Sequence, residues 1–246
     1  KDVTEEIKAF YEKTPFPNYD DIDNISVLID KAERSLFAKM LDQQMPFKAK
    51  ILEIGCGTGQ LSVYLGTSHR ASFGTDMCLN SLRLGNDFKI RNNVAGVGFY
   101  QMNLFRPIFK KESFDLVISN GVLHHTNDPY GGFQSIARLV KKNGYILVGL
   151  YNKFGRFATD MRRIFFFLSK NNFQFLDPYL RRKDVGVKKK LAWFLDQYKN
   201  PHESKHTIGE VLNWFDANGF EFQSGIPSPA LDLFDPNFRL FEKHER

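Results

Sequence analysis

Ile51-Leu52-Glu53-Ile54-Gly55-Cys56-Gly57-Thr58-Gly59 is a short apolar run that breaks into three glycines within five residues. A run of this length reads as a buried strand, and the glycines after it read as a tight turn that opens a helix, here residues 60–66. Working outward, Ala71–Thr75 is a second strand ending at Asp76. Gly98–Gln101 is a third, Leu116–Ser119 a fourth and Tyr145–Leu150 a fifth. Helical stretches such as Ser81–Phe88 and Gly132–Val140 separate most of them, and Lys141-Lys142-Asn143-Gly144 reads as a helix end followed by a turn. Strands alternating with helices predict an α/β fold, doubly wound, with a mostly parallel sheet and helices on both faces.

In such a sheet, ligands lie outside the carboxyl ends of the strands, near the point where strand order reverses. A glycine turn there lets the backbone approach a ligand closely. Gly55, Gly57 and Gly59 fit that role. The dinucleotide pattern G-x-G-x-x-G needs its third glycine at position 60, which is Gln60, so the spacing departs from a nicotinamide or flavin site. Asp76, at the end of the second strand, can accept hydrogen bonds from both hydroxyls of a ribose. Its plainer reading is a turn or cap aspartate.

The flanks are different in character. Residues 4–13 read as a helix with Thr4 as a candidate N-cap, ended by Pro15 and Pro17, which leave an extended arm with aromatic side chains. A second helix is expected over 30–43. Residues 153–190 hold eleven Lys/Arg against three acids, a net of +8 in a chain of net +6, interleaved with phenylalanine. Such a segment attracts anionic partners or is a solvated helical face. Thr207 and Glu210 form a capping-box pattern at the start of a helix that stops at Gly219, and Phe220–Ile226 reads as a strand. The expected organisation is one domain over 1–246: a helical arm (1–47), a cofactor-binding core (48–152), a helical lid inserted after the fifth strand (153–206), and a C-terminal helix and strands (207–246). Two cysteines cannot support a disulfide framework, and nothing at the start reads as a signal peptide, which together predict a reducing, cytoplasmic setting. Lys1 in place of an initiator methionine suggests that residues upstream were removed. No apolar run approaches the roughly 18–20 residues of a membrane-spanning helix.

At this point the residues resemble a family. Ile51–Gly59 resembles the first motif of class I S-adenosylmethionine (SAM)-dependent methyltransferases, whose fold is Rossmann-like. Phe114-Asp115-Leu116-Val117-Ile118-Ser119-Asn120-Gly121-Val122-Leu123-His124-His125 is similar to their fourth-strand motif, in the form seen in small-molecule enzymes of ubiquinone and menaquinone biosynthesis. Lys142–Leu147 resembles the turn and strand that follow. The resemblance covers about residues 48–152. It implies SAM as cofactor and S-adenosylhomocysteine as product, with Glu53, Gly55 and Cys56 at the methionine portion and Gly57 and Gly59 shaping the loop beneath. It further implies Asp76 on the ribose, Met77 against the adenine, Asn103 and Leu104 at the adenine amino group, and Asn120 under the sulfonium.

A phenol or activated carbon acceptor needs a base with a pKa near the working pH, and histidine suits that task. His124 and His125 follow the fourth strand, and His125 is the preferred candidate. The plainer reading is that both hold the loop. Tyr11, Tyr19, Arg162, His202 and His206 are candidates for contact with the acceptor, expected to be a small molecule, amphipathic and anionic. The stretch His202-Glu203-Ser204-Lys205-His206 matches the zinc-protease pattern H-E-x-x-H. Pro201 before it and the cap at Thr207 after it make it a loop, so no metal is assigned. Two other functions stand beside this one. An RNA methyltransferase would draw on the basic segment, yet the fourth strand lacks the Pro-Pro-aromatic clamp of base-amino methylation, and nucleic acid is disfavoured as a partner. A SAM-binding module without catalysis is the third. Peripheral membrane contact through the basic, aromatic lid also follows from the composition. Oligomeric state is not legible.

Overall fold

The computed structural model describes residues 3–19, 22, 24–226 and 238–243. Its five strands are β1 (Lys50–Ile54), β2 (Ala71–Asp76), β3 (Val97–Gln101), β4 (Phe114–Asn120) and β5 (Val140–Gly149). They form one sheet in the order β3-β2-β1-β4-β5, and every pairing is parallel. The direction of winding reverses between β1 and β4. Glu53 of β1 sits opposite Gly74 of β2 on one side and Ile118 of β4 on the other. The crevice for a ligand therefore opens at the carboxyl ends of β1 and β4.

Alternation along β1 sorts the core. Ile51 turns to the face covered by α3 (Leu36–Gln44) and α4 (Gln60–Gly66), where it joins Leu41, Leu65, Leu116 and Ile118. Leu52 and Ile54 turn to the face covered by α6 (Pro129–Ala137) and α9 (Ile208–Ala217), among Val117, Phe133, Ile136 and Trp214. A third cluster, with Leu28 of α2 (Ile25–Glu33), Val63 and Phe88 of α5 (Leu79–Arg91), closes the β2–β3 end. Helices thus cover both faces, as the alternation predicts.

Several boundaries differ from the sequence reading. The helix expected over 30–43 is two helices, because the Ser35 hydroxyl accepts from the Ala38 N–H and starts α3 afresh. Thr4 is not a cap; it lies inside α1 (Val3–Lys13). The helix expected at Gly132–Val140 begins instead at Pro129, where the Asp128 carboxylate accepts from Gly131 N–H at 2.9 Å. The turn expected at Lys141–Gly144 lies within β5, as a left-handed Asn143 (φ 63°) beside a register shift between Phe114 and Leu116. Phe220–Ile226 forms no strand. Gly219 (φ 75°) turns the chain, Phe220 drops onto Phe133, and its N–H is taken by the Phe215 carbonyl at the end of α9. Of the tail, Phe238 and Leu240 are buried against α3, and 227–237 and 244–246 lie outside the described residues.

After β5 come α7 (Phe157–Leu168), a 3-10 turn (Gln174–Leu176) and α8 (Val187–Lys199). These are the helices expected of the inserted segment. They hold together through a small core of their own, Phe166 with Phe194, Tyr198 and Leu180. Thr207 caps α9 by accepting from Glu210 N–H at 3.2 Å, as its pattern predicts. Among the described residues no helix is long and apolar enough to cross a membrane. Cys56 and Cys78 are both buried free thiols.

Gly85 lets α5 close onto the glycine loop. A Cβ there would lie 2.4 Å from the Thr58 carbonyl oxygen and 3.0 Å from the Phe99 ring. Overpacking of this kind costs about 1–3 kcal/mol, and alanine's better helix propensity returns at most about 1 kcal/mol. Gly85→Ala is therefore expected to lower the urea midpoint, corresponding to a net loss of about 1–2 kcal/mol in unfolding free energy. An unchanged or higher midpoint would show that the loop yields.

Candidate active site

The loop after β1 turns through positive φ at Gly55, Gly57 and Gly59. At Gly57 this is obligatory twice over. Its φ is 55°, and a Cβ would lie 2.2 Å from the Phe16 carbonyl oxygen of the N-terminal arm. Gly59 (φ 74°) is the N-cap of α4. Three of the loop's N–H groups are already committed: Cys56 donates to Thr75, Gly59 donates to Cys56, and Gly57 donates to the Asp76 carboxylate at 2.9 Å.

Two carboxylates face this loop. Asp76 accepts from Gly57 N–H on one oxygen and from Cys78 N–H, at 2.8 Å, on the other. Glu53 accepts from the Ser62 hydroxyl. Neither has an ion-pair partner among the described residues. Burial is the main cause that raises both, Glu53 to about 7, and the charge of Asp76 adds to the effect at Glu53. Burial raises the Cys56 thiol as well, with Glu53 and Asp76 next in effect. The loop is thus ringed by uncompensated negative charge, which suits a cationic ligand and repels an anionic one.

The arm expected to be extended and aromatic crosses this loop. Thr58 Oγ1 donates to the Pro17 carbonyl at 2.7 Å, Gln60 Nε2 to the Asn18 carbonyl at 2.9 Å, and Tyr19 Oη to the Thr58 carbonyl at 3.0 Å. Tyr19 stacks on Phe88. Glu12, at the end of α1, accepts from Leu79 and Asn80 N–H groups at the start of α5. On the β3 side, Met77 is half-buried and its carbonyl accepts from Gln101 Nε2. Asn103 Oδ1 accepts from Phe105 N–H at 2.9 Å, and the Leu104 side chain is part of the core under α6. Asn120 is exposed at the end of β4, opposite Gly149 of β5; a Cβ on Gly149 would collide with its amide oxygen.

The two histidines lie in a 3-10 turn, Leu123–His125, directly after β4. His125 Nδ1 is 2.8 Å from the His202 carbonyl oxygen. A carbonyl only accepts, so Nδ1 carries the proton of the neutral ring and Nε2 carries the lone pair. Burial holds His125 below its ordinary value, opposed by the His202 carbonyl and by the charges of Asp196 and Glu203. His124 is pushed down to about 2, first by burial and then by His125, Arg156 and His206. Its ring is stacked on Tyr151 at 3.9 Å, and neither ring nitrogen has a partner among the described residues.

Around this turn the inserted helices build a polar network. The Arg156 guanidinium lies over the Tyr151 ring, 3.8 Å from its centre, and reaches Glu203 at 2.8 Å and Gln197 at 2.6 Å. Arg163 joins the same Glu203 carboxylate at 2.9 Å. Gln197 Nε2 donates to Asp196 and to Tyr151 Oη. Tyr11 Oη donates to Asp196 at 2.8 Å and accepts from Asn200 Nδ2, with its ring edge toward His125. The basic segment therefore spends several cations internally: Arg156 and Arg163 on Glu203, Arg182 on Asp184, Lys205 on Asp160.

Of the candidate acceptor residues, the structure brings Tyr11 and the His202 backbone to His125. Tyr19 lies on the glycine-loop side instead. Arg162 faces the Tyr198 hydroxyl beside the small core of α7 and α8. The His206 ring is held between Ser204 Oγ and Glu210, on the wall of a separate cleft of about 400 Å³ with Tyr130, Asn213 and Trp214. The segment 202–205 is not helical, as its flanks predict. Asp196, Gln197, Tyr151 and Arg156 carried no site assignment in the sequence, whereas Glu203 was named within the declined zinc pattern as a residue to line the acceptor pocket. Of those four, only Tyr151, just past the end of a strand, carried any signal.

Residues 52–148 match the family described as a methyltransferase domain. The chain is 24% identical over 205 residues to an uncharacterized protein of Synechococcus sp., covering 71% of this chain and 48% of that one. It is 28% identical over 112 residues to ubiquinone biosynthesis O-methyltransferase of Haemophilus ducreyi, covering 44% and 47%. The chain spans about half the length of these curated relatives. In fold it is similar to PKMT2 from Rickettsia typhi in complex with AdoHcy, with a TM-score of 0.59 and 16% identity over 76% of this chain and 42% of that chain.

The raised Glu53 carboxyl has a consequence for stability. A group that holds its proton more tightly in the folded state stabilises the fold below its ordinary pKa, and that contribution is lost as pH rises through the folded value. The loss falls between about pH 4.5 and about 7. Glu53→Gln removes it, so the variant is expected to gain about 2 kcal/mol on the wild type between pH 5 and pH 8 in urea titrations. A difference independent of pH would mean that Glu53 is ionised throughout.

Proposed function

Taking residues 52–148 as a class I SAM-dependent methyltransferase domain, we propose that this chain transfers the methyl group of SAM to a small-molecule acceptor at the carboxyl ends of β1 and β4. The observation that carries this reading is the pair of carboxylates, Glu53 and Asp76, with no ion-pair partner among the described residues. SAM has an ammonium and a sulfonium, and its ribose hydroxyls can donate to the second lone pairs that Asp76 keeps after accepting from Gly57 and Cys78. When bound, it supplies a methyl carbon already activated by the positive sulfur.

The chain's own residues then have three tasks. The first is alignment, which can contribute several kcal/mol to the rate. The loop with Gly55, Cys56, Gly57 and Gly59, the Met77 and Asn103–Leu104 edge, and Asn120 are the proposed cradle, and the arm at Phe16–Tyr19 covers it. The second is exclusion of water, proposed for residues 153–206 acting as a lid over the end of β5, with 1–47 as the arm, 48–152 as the core and 207–246 as the remainder of one domain. The third is removal of the acceptor's proton. His125 is neutral at pH 7 and its Nε2 lone pair is the one left available, so His125 is the proposed base. His124, stacked on Tyr151, positions it.

The phenylalanine-rich lid favours an amphipathic acceptor. An anionic group on that acceptor receives less support, because Arg156 and Arg163 already serve Glu203. Two buried free thiols suit a reducing, cytoplasmic setting.

Calorimetry with SAM tests the cofactor site. Affinity is expected to rise from pH 6 to pH 8 with release of a proton, since a cationic ligand favours ionised Glu53, and Asp76→Ala should weaken binding at least tenfold. Absence of binding to the folded protein would overturn the reading. A labelled-methyl screen then identifies the acceptor. With an acceptor that must lose a proton, His125→Ala is expected to lower kcat by about 10²–10⁴-fold, and the acid limb of kcat/KM should lie below pH 6.5. Full turnover in that variant would assign proton removal elsewhere.

A further inference from the structure

Helix α7 is amphipathic in the inverted sense. Phe157, Met161, Ile164, Phe165 and Leu168 recur at the spacing that places them on one helical stripe about 100° wide, and all five are exposed, Leu168 by 72% and Phe157 by 68%. The opposite side carries Phe166, 1% exposed, together with Arg162 and Arg163, which face α8 and Glu203. Burial normally works the other way, with apolar side chains inward and arginines to solvent. Here the inward side is already satisfied by ion pairs and a small aromatic core, so the outer stripe has no partner among the described residues. Phe154 before the helix and Phe173 and Phe175 after it extend the apolar surface, at 76%, 47% and 58% exposure. Contiguous apolar patches of this kind mark an interaction site.

Charge decides between partners. Lys153 and Lys170 flank α7 in sequence, Arg181, Lys183 and Lys188 follow it up to the first turn of α8, and all five are exposed and make no ion pair among the described residues. Two copies of the chain meeting face to face would bring these cations together. An apolar layer bordered by anionic groups complements both features at once, as at the surface of a bilayer containing acidic lipids, where aromatic side chains enter the headgroup boundary and lysines stay at its rim.

We propose that α7 and the turn after it are a membrane-surface docking face for bilayers with anionic headgroups. This does not depend on methyl transfer, although it would place the outer face of the lid on the phase from which an amphipathic acceptor arrives.

The test is co-sedimentation of the full chain with phosphatidylcholine vesicles and with vesicles containing 30 mol% phosphatidylglycerol. Binding is expected only to the second, at least tenfold weaker in 0.5 M salt. The triple variant Phe157→Ser, Ile164→Ser, Phe165→Ser should lose at least tenfold in vesicle affinity, with its circular dichroism and SAM titration unchanged. No binding to either vesicle, equal binding to both, or a triple variant that binds like the wild type would overturn the proposal. A wild-type dimer in sedimentation velocity that the same substitutions dissociate would overturn it too, by assigning the face to a second copy. Loss of SAM binding in the wild type would refute the cofactor reading and leave this one standing.

Discussion

Gly57 is the residue on which the rest of the site depends. Its N–H is bound to Asp76 and the place of its missing side chain is filled by the Phe16 carbonyl. The first contact fixes the Asp76 carboxylate at the end of β2. The second seats the N-terminal arm over the loop. Because the arm runs on from α1, the same seating brings Glu12 onto the start of α5 and Tyr11 onto Asp196 of α8. One element therefore touches the glycine loop, the helix after β2 and the inserted helices. A side chain at position 57 would lift the arm and disturb all three, at a cost larger than the methyl group alone suggests.

Much of the core was legible because period and punctuation agree there. β1 is a five-residue apolar strand whose end is marked by glycines, and each later strand lies between helical stretches. The legible site residues, Glu53, Asp76 and the two histidines, all sit at strand ends, where topology alone brings them to one edge. The failures have a common cause in contacts that pattern does not encode. Ser35 splits a helix by a local hydrogen bond. Phe220 alternates like a strand residue and instead closes the end of α9. Asp196 faces His125 and Gln197 reaches Tyr151 from α8, and Asp196 is held by Tyr11 at a separation of 185 residues, so no spacing rule connects them. Arg162 read as a cation for the acceptor and faces the Tyr198 hydroxyl instead; Glu203, which holds Arg156 and Arg163, lay inside a motif set aside on other grounds.

The two halves of the site have opposite electrostatics, and burial sets both. On the glycine-loop side, desolvation raises two carboxylates that have no ion-pair partner among the described residues, which suits a positive ligand. On the histidine side, desolvation lowers two imidazoles, so the resting ring is neutral with its proton on Nδ1. In the proposed reaction His125 becomes an imidazolium, and the terms that oppose burial then matter most. The His202 carbonyl holds Nδ1–H more strongly when the ring is charged, and Asp196 and Glu203 favour that charge. Glu203 is shared by two arginines, whereas Asp196 accepts only from neutral donors, Tyr11 and Gln197. Asp196 therefore faces the ring with no ion-pair partner among the described residues. Because it lies on α8 and is held by Tyr11 of α1, the basicity of His125 rests on the arm and the inserted helices being in place together.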